Sequence, residues 1–293
     1  MNKKYIEDYL RYIKTVKKYS DYTIISYQED IEEFSNYLNN SSILKINYET
    51  VSLYLEYLYK LKLNRNSISR KLSSLRGFYE YLKKENLIET NYFKEVSNPK
   101  KYLTLPKYVD NNDLEKMFMV PNLDTPLGQR NRLIIELLYA TGIRVGELVS
   151  IKLEDIELSQ NTIKILGKGS KERIVIYGSF CEDILDLYLS DGRKELKPKS
   201  NYLILNKNGN KLTTRAVRDI IDNIILQAHI NSHVSPHMLR HTFATDLLSN
   251  GADLMSVKEL LGHSSLNTTS IYTHLTDEQI RNVYNNTHPR AKV

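Results

Sequence analysis

Six residues between positions 144 and 272 form a set suited to phosphoryl transfer. Arg144 lies in Thr141-Gly142-Ile143-Arg144-Val145-Gly146-Glu147-Leu148, and Lys168 in Gly167-Lys168-Gly169-Ser170-Lys171. His237 and Arg240 share His237-Met238-Leu239-Arg240, His263 ends Leu260-Leu261-Gly262-His263, and Tyr272 follows Ile271. Arginines clamp a phosphate bidentately. Histidine and lysine can move protons. A tyrosine hydroxyl can serve as nucleophile. No cluster of carboxylates stands by to hold magnesium, and neither a metal nor a cofactor is expected.

Each group has an ordinary reading as well. Ser235 is a good N-cap and Pro236 a good first helical residue, so His237 falls in the first turn of a helix running to Asn250, with Gly251 as its cap. A helix start offers free amides and positive potential to a phosphate. His237 and His241 have the i, i+4 spacing of a zinc pair. The catalytic glutamate of such motifs is missing, however, and Arg240 sits where a cation would bind. Arg144 alone reads as a surface ion pair, with Glu147 one turn on to orient or pair with it. Lys168 and Lys171 share one hairpin tip, and either could reach a leaving oxygen. A lone tyrosine beside Ile271 is ordinarily core. What raises Tyr272 is its company.

These groups need elements to position them. Arg132 to Thr141 reads as an apolar helix ended by Gly142, a natural left-handed cap, and Val145 to Ser150 begins another. Residues 162–166 and 172–177 are strand-like and are joined as a hairpin by 167–171; 202–205 is a further strand before the Asn208-Gly209 turn. Val257, Leu260 and Leu261 belong to a helix closing at Gly262. Ser264 or Ser265 can cap the next one, which carries Tyr272. Thr276 with Gln279 forms a capping box, so a short helix starts at Asp277 with Ile280, Val283 and Tyr284 on one side.

The first hundred residues read as helices only. Ile6, Tyr9, Leu10 and Ile13 recur at helical spacing, as do Ile24, Tyr27, Ile31, Phe34 and Leu38. A third helix, 50–61, is apolar nearly all round and is expected to be the most buried. A fourth, 67–84, sets Ile68, Leu72, Leu75, Tyr79 and Leu82 against an opposite face of Arg70, Ser73, Gly77 and Lys84. That opposite face can approach a phosphate backbone, or Gly77 can pack against another helix. Residues 98–107 hold two prolines and three lysines without a helical pattern. The expected division is therefore a helical domain over 1–98, a linker over 99–107 and a mixed domain over 108–293.

Composition narrows the partners. Hydrophobic residues make up 41% and charged residues 26%, an ordinary soluble globular balance, and no apolar run reaches membrane-spanning length. The N-terminal residues carry no signal-like apolar segment, so a cytoplasmic protein is expected. Cys181, the one cysteine, excludes an intrachain disulfide and a multi-cysteine zinc site. Net charge is +6, yet residues 60–107 alone carry twelve Lys and Arg against four Glu. A basic block in an otherwise near-neutral chain is a footprint for a polyanion. Arg70, Lys84, Lys100, Lys101 and Lys171 are the candidate contacts to that polyanion.

Taken together, Thr141-Gly142-Ile143-Arg144 with Glu147-Leu148, Gly167-Lys168-Gly169, His237-Met238-Leu239-Arg240-His241, Leu261-Gly262-His263 and Tyr272-Thr273-His274 resemble the tyrosine site-specific recombinases, or phage-integrase family. His288-Pro289-Arg290-Ala291-Lys292 looks most like the Xer subgroup. The resemblance spans essentially the whole chain. It implies an all-α N-terminal core-binding bundle and a mainly helical α+β catalytic domain with a small antiparallel sheet, closing together on duplex DNA. It further implies Tyr272 as nucleophile forming a 3′-phosphotyrosyl link, Arg144 and Arg240 on the non-bridging oxygens, and Lys168 as acid to the 5′-oxygen. His237 and His263 would handle the tyrosine proton and the phosphate. Partners implied are a DNA recombination site, a tetrameric synapse of this chain or of this chain with a related recombinase, and an activating DNA translocase, with no membrane. Chromosome dimer resolution is the expected role. An integrase or invertase of a mobile element, or a non-catalytic DNA-binding protein, are the alternatives. The C-terminal helix is expected to dock into a neighbouring protomer, with docking on its own domain as the other possibility.

Overall fold

The computed structural model describes residues 2–39, 41–99, 108–167, 172–262 and 277–291. The chain divides into two compact units, Met1–Thr104 and Leu105–Val293. The first consists of helices α1 (Asn2–Thr15), α2 (Asp21–Tyr37), α3 (Tyr48–Lys60) and α4 (Arg65–Lys84), then a 3-10 turn at Tyr92–Lys94. Side-chain caps start three of them: Ser20 accepts from the Thr23 amide, Asn47 from Thr50 and Asn64 from Ser67. Ile6, Tyr9, Ile31, Phe34, Tyr54, Leu72, Leu75 and Tyr79 meet in one core.

The expectation that the third helix is the most buried is corrected. α3 buries Val51, Tyr54 and Leu58, while Leu53 remains 50% exposed and Tyr57 and Leu61 are exposed beside it. A helix at the bundle's edge can bury only one stripe, however apolar its remainder. The central helix is α4, with nine buried residues.

The second unit is mainly helical: α5 (Asn111–Met119), α6 (Pro126–Thr141), α7 (Val145–Leu148), α8 (Ser179–Leu187), α9 (Arg193–Glu195), α10 (Thr214–Gln227), α11 (Pro236–Ser249), α12 (Leu254–Leu261) and α13 (Asp277–Thr287). Its sheet is antiparallel, in the order β1 (Ile156–Glu157), β2 (Thr162–Leu166), β3 (Glu172–Ile176). The β2–β3 register pairs Thr162 with Ile176 and Leu166 with Glu172. The expected strand at 202–205 is replaced by two isolated bridges, Lys152 with Tyr202 and Leu205 with Lys211. Leu203, Ile204 and Leu205 are buried without extending the sheet. α6 starts six residues earlier than its apolar pattern, because Thr125 caps it and Pro126 opens it. Its buried row, from Leu133 to Ala140, is the spine of the larger core.

α13 docks on its own domain. Tyr284, with Ile280 and Val283, packs among Ile176, Phe243, Leu247, Val257, Leu260 and Leu261, and Asn250 Nδ2 donates to the Thr287 carbonyl at 2.8 Å. In this single chain the apolar side of the helix is covered by its own domain, the alternative the sequence allowed, and a helix this short is held by such packing rather than by its own propensity. It is helical from Asp277, the first described residue of this segment, and the expected capping residue Thr276 lies outside the described residues.

Candidate active site

Two left-handed glycine caps bring distant segments of the second unit together. α6 ends at Gly142 (φ +60°) and α12 ends at Gly262 (φ +64°). A side chain at Gly142 would run into Phe243 and Leu261. The carbonyls at these two helix ends carry the negative pole of each helix. Arg240, on α11, answers both, with Nη1 donating to the Gly142 carbonyl and Nη2 to the Leu261 carbonyl at 2.7 Å. Its side chain is buried, so the guanidinium is fixed in place. Burial and then the nearby charge of Arg144 push its pKa down to about 10, and it stays protonated at neutral pH.

Arg144 lies two residues past the Gly142 cap and is the N-cap residue of α7. Its amide donates to Glu147 Oε2 at 2.8 Å and its Nη1 to Glu147 Oε1 at 2.9 Å, while the side chain stays partly exposed. The pairing with Glu147 left open by the sequence is thus present, and it comes with a partner that the sequence reading missed. Arg173 on β3 donates through Nη1 and Nη2 to the two oxygens of Glu147, each at 2.9 Å. Burial alone would raise the Glu147 carboxyl, but the Arg173 fork and the Arg144 amide hold it below the usual carboxylate range. Three guanidinium groups therefore gather around one buried carboxylate, leaving a net positive site. No periodicity could have flagged Arg173, since it sits among strand residues beside a lysine-rich tip.

His237 occupies the first turn of α11 and is exposed, with Ser235 capping that turn by accepting from the Met238 amide. Helix α11 ends at Ser249 with Asn250 as cap and Gly251 at φ +95°, one residue short of the expected end. Lys168, Lys171, His263 and Tyr272 lie outside the described residues, as do Lys100 and Lys101. The segments that lead to them are described: β2 and β3 carry the hairpin, Gly262 precedes His263, and α13 follows Tyr272. Among the described residues, no group of three or more His, Cys, Asp or Glu could hold a metal ion.

In the first unit the basic block is partly spent internally. Buried Asp30 accepts from Arg70 at 2.5 Å, Lys71 at 3.2 Å and Ser74 at 2.8 Å. Arg76 donates to the Phe93 and Val96 carbonyls and to Asn98 Oδ1, tying down the chain ahead of residue 100. Lys94 pairs with Glu80. Arg70 and Lys84 remain exposed on α4, with Lys84 Nζ lying 5.2 Å from the Tyr12 ring centre. Gly77 between them faces helix α1, where an added Cβ would come within 2.7 Å of the Tyr9 hydroxyl. This glycine therefore serves close helix packing. A second basic group, Arg11, Lys14, Lys17 and Lys18, flanks the α1–α2 turn and was not singled out from the sequence.

Comparison with known proteins agrees with this layout. Residues 107–279 match the Phage integrase family, and residues 6–86 match the Phage integrase N-terminal SAM-like domain. The tyrosine recombinase XerC of Oceanobacillus iheyensis is 44% identical over 98% of this chain and 96% of its own length. That of Bacillus pumilus is 45% identical over 97% and 95%. Among solved structures, XerH site-specific recombinase bound to palindromic difH substrate in a post-cleavage complex matches with a TM-score of 0.71 at 25% identity, over 96% of this chain and 94% of that one. Among the described residues no helix is long and apolar enough to cross a membrane. With motifs, fold and relatives in agreement over nearly its full length, the chain belongs to the phage integrase family and is a Xer-type tyrosine site-specific recombinase.

Proposed function

We propose that this chain cuts and rejoins duplex DNA at a specific site through a 3′-phosphotyrosyl intermediate, with Tyr272 as nucleophile, and that its role is chromosome dimer resolution. The Tyr272 hydroxyl attacks the scissile phosphorus, and the new P–O bond replaces the bond to the 5′-oxygen. Lys168 gives that departing oxygen its proton. Arg144 and Arg240 neutralise the charge that builds on the non-bridging oxygens, and His237 and His263 take the tyrosine proton and hydrogen-bond the phosphate. The reverse attack by a 5′-hydroxyl of a second duplex restores the backbone and yields a Holliday junction. Because the ester energy is kept in the phosphotyrosine, the cycle needs no nucleotide.

The observation that carries this reading is the arginine cluster. Arg240 is buried, charged and aimed by two helix-end carbonyls, and Arg144 is held beside it through Glu147. Donors fixed in advance cost no reorganisation when transition-state charge appears. The relatives support a duplex substrate and an assembly on DNA: one solved neighbour is a lambda integrase dimer bound to a core site and another a tetramer bound to a Holliday junction. We extend the same partners to this chain: a DNA recombination site, a tetrameric synapse with itself or a related recombinase, and an activating translocase. The basic contacts would come from Arg70, Lys84, Lys100, Lys101 and Lys171.

A nicked suicide substrate tests the assignment. Wild-type protein should trap a covalent adduct, and Tyr272→Phe should trap none while binding the site as tightly. An adduct in that variant mapping to another tyrosine would remove Tyr272 from its role.

A further inference from the structure

We infer that Arg173 is a positioning residue for the phosphate clamp, acting on Arg144 through Glu147. The inference rests on the reading of Arg144 as a clamp. It concerns a residue outside that reading.

The geometry is specific. Arg173 grips both oxygens of Glu147 in a fork, at 2.9 Å each. The same two oxygens receive the backbone amide and Nη1 of Arg144. Glu147 is therefore a relay with Arg144 on one side and Arg173 on the other, and the fork adds two bonds to the orientation that the Arg144 amide sets. Arg173 also lies against the turn that precedes His263. A Cβ on Gly262 would fall 2.5 Å from Arg173 Cδ and 2.8 Å from its Nε. One side chain on β3, two residues beyond the hairpin tip, thus touches the supports of the Arg144 turn and of the Gly262 turn.

Stability alone does not account for an arginine here. Its side chain is 15% exposed, and its Nε is buried with no hydrogen-bond partner among the described residues. An unmet buried donor costs about 1–3 kcal/mol. Its charge also works against Arg240, whose pKa it helps to lower. A buried ion pair is weak evidence for stability, whereas a rigid fork defines direction. Losing that direction lets the Arg144 guanidinium swing, and a misplacement of about 1 Å can cost roughly 10²-fold in rate.

The test compares Arg173→Ala, Arg173→Lys and Arg144→Ala on two suicide substrates. One carries the natural scissile phosphate, and the other a charge-neutral methylphosphonate, as each diastereomer. On phosphate, both Arg173 variants should bind the site with wild-type affinity and cleave about tenfold to a hundredfold more slowly. On a methylphosphonate there is less charge to clamp, so the variant-to-wild-type ratio should rise toward one, for Arg173 and Arg144 variants alike. Arg173→Lys keeps the charge while losing the fork, so it carries the test should Arg173→Ala fold poorly. If the methylphosphonate relieves Arg144→Ala but leaves the Arg173 defect unchanged, Arg173 is only structural and the inference is overturned. Relief of neither would bring down the clamp reading itself. Wild-type cleavage of the phosphate by Arg173→Lys and Arg173→Ala would also overturn the inference.

Discussion

Replacing His288 with phenylalanine should remove most of the acid sensitivity of the C-terminal helix. His288 is 4% exposed and stacks on Tyr284, with ring centres 4.9 Å apart and planes 9° from parallel. Tyr139 and Phe243 close the cluster at 5.0 and 5.4 Å. Its Nδ1 accepts from the Arg290 amide at 3.2 Å. Burial, reinforced by the charge of Arg290, pushes the imidazole pKa down to about 3. In the unfolded chain it returns to about 6.5. The folded pKa is the lower one, so the unfolded chain takes up the proton first. The stability linked to this group is present above about 6.5 and drains away as pH falls toward 3. Between roughly pH 7.5 and 5 the loss is about 2 kcal/mol. For a unit of this size that corresponds to roughly 4–8 °C in Tm. Thermal melts of the full chain across that range should show a steep wild-type decline and a flatter one in His288→Phe, whose ring suits the aromatic neighbours. Glu147, held low by Arg173, loses its contribution only at more acid pH, so it does not mask the difference. Parallel Tm–pH slopes in the two proteins would refute the assignment of a neutral buried imidazole.

Four further outcomes follow from the same contacts. Arg240→Ala should lower cleavage by roughly 10²–10³, the usual loss for one transition-state donor, and should also lower Tm, because two helix-end carbonyls lose their donor; an unchanged single-turnover rate would contradict its role. Gly262→Ala must place a side chain at φ +64° and against Arg173, so a stability loss of about 1–2 kcal/mol is expected, together with slower cleavage; a purely thermal effect would separate the cap from the site. Arg290→Met leaves Glu136, fully buried, with Arg132 as its one guanidinium partner among the described residues; because Arg132 still compensates the charge, the loss should fall below the roughly 3–5 kcal/mol of a fully broken buried pair, and adding Glu136→Gln should recover much of it in a chemical melt. Arg70→Ala and Lys84→Ala should each flatten the slope of log K against log salt by about 0.9 if each contacts one phosphate, whereas an unchanged slope would leave Arg70 solely as the partner of Asp30.

The local signals were legible because they are made by neighbours in sequence. Ser235 and Pro236 start α11, Gly142 and Gly262 end α6 and α12, and two strand-like runs around a glycine-bearing tip give β2 and β3. Each depends on a cap, a backbone angle or an alternation that a few residues settle among themselves. The motif set around Arg144, His237 and Arg240 was legible for the same reason, and with it the family. Tertiary structure alone decided which charges are free and which are used. Asp30 and Arg70 lie forty residues apart, Glu147 and Arg173 twenty-six, and Glu136 and Arg290 a hundred and fifty-four. Pairs at such distances are chosen by where helices and strands come to rest, and no spacing announces them. The same holds for α3, whose all-round apolar surface predicts burial that an edge position does not supply, and for α13. Its apolar side called for a partner, and the nearest uncovered surface in a single chain is the α11–α12 face of its own domain.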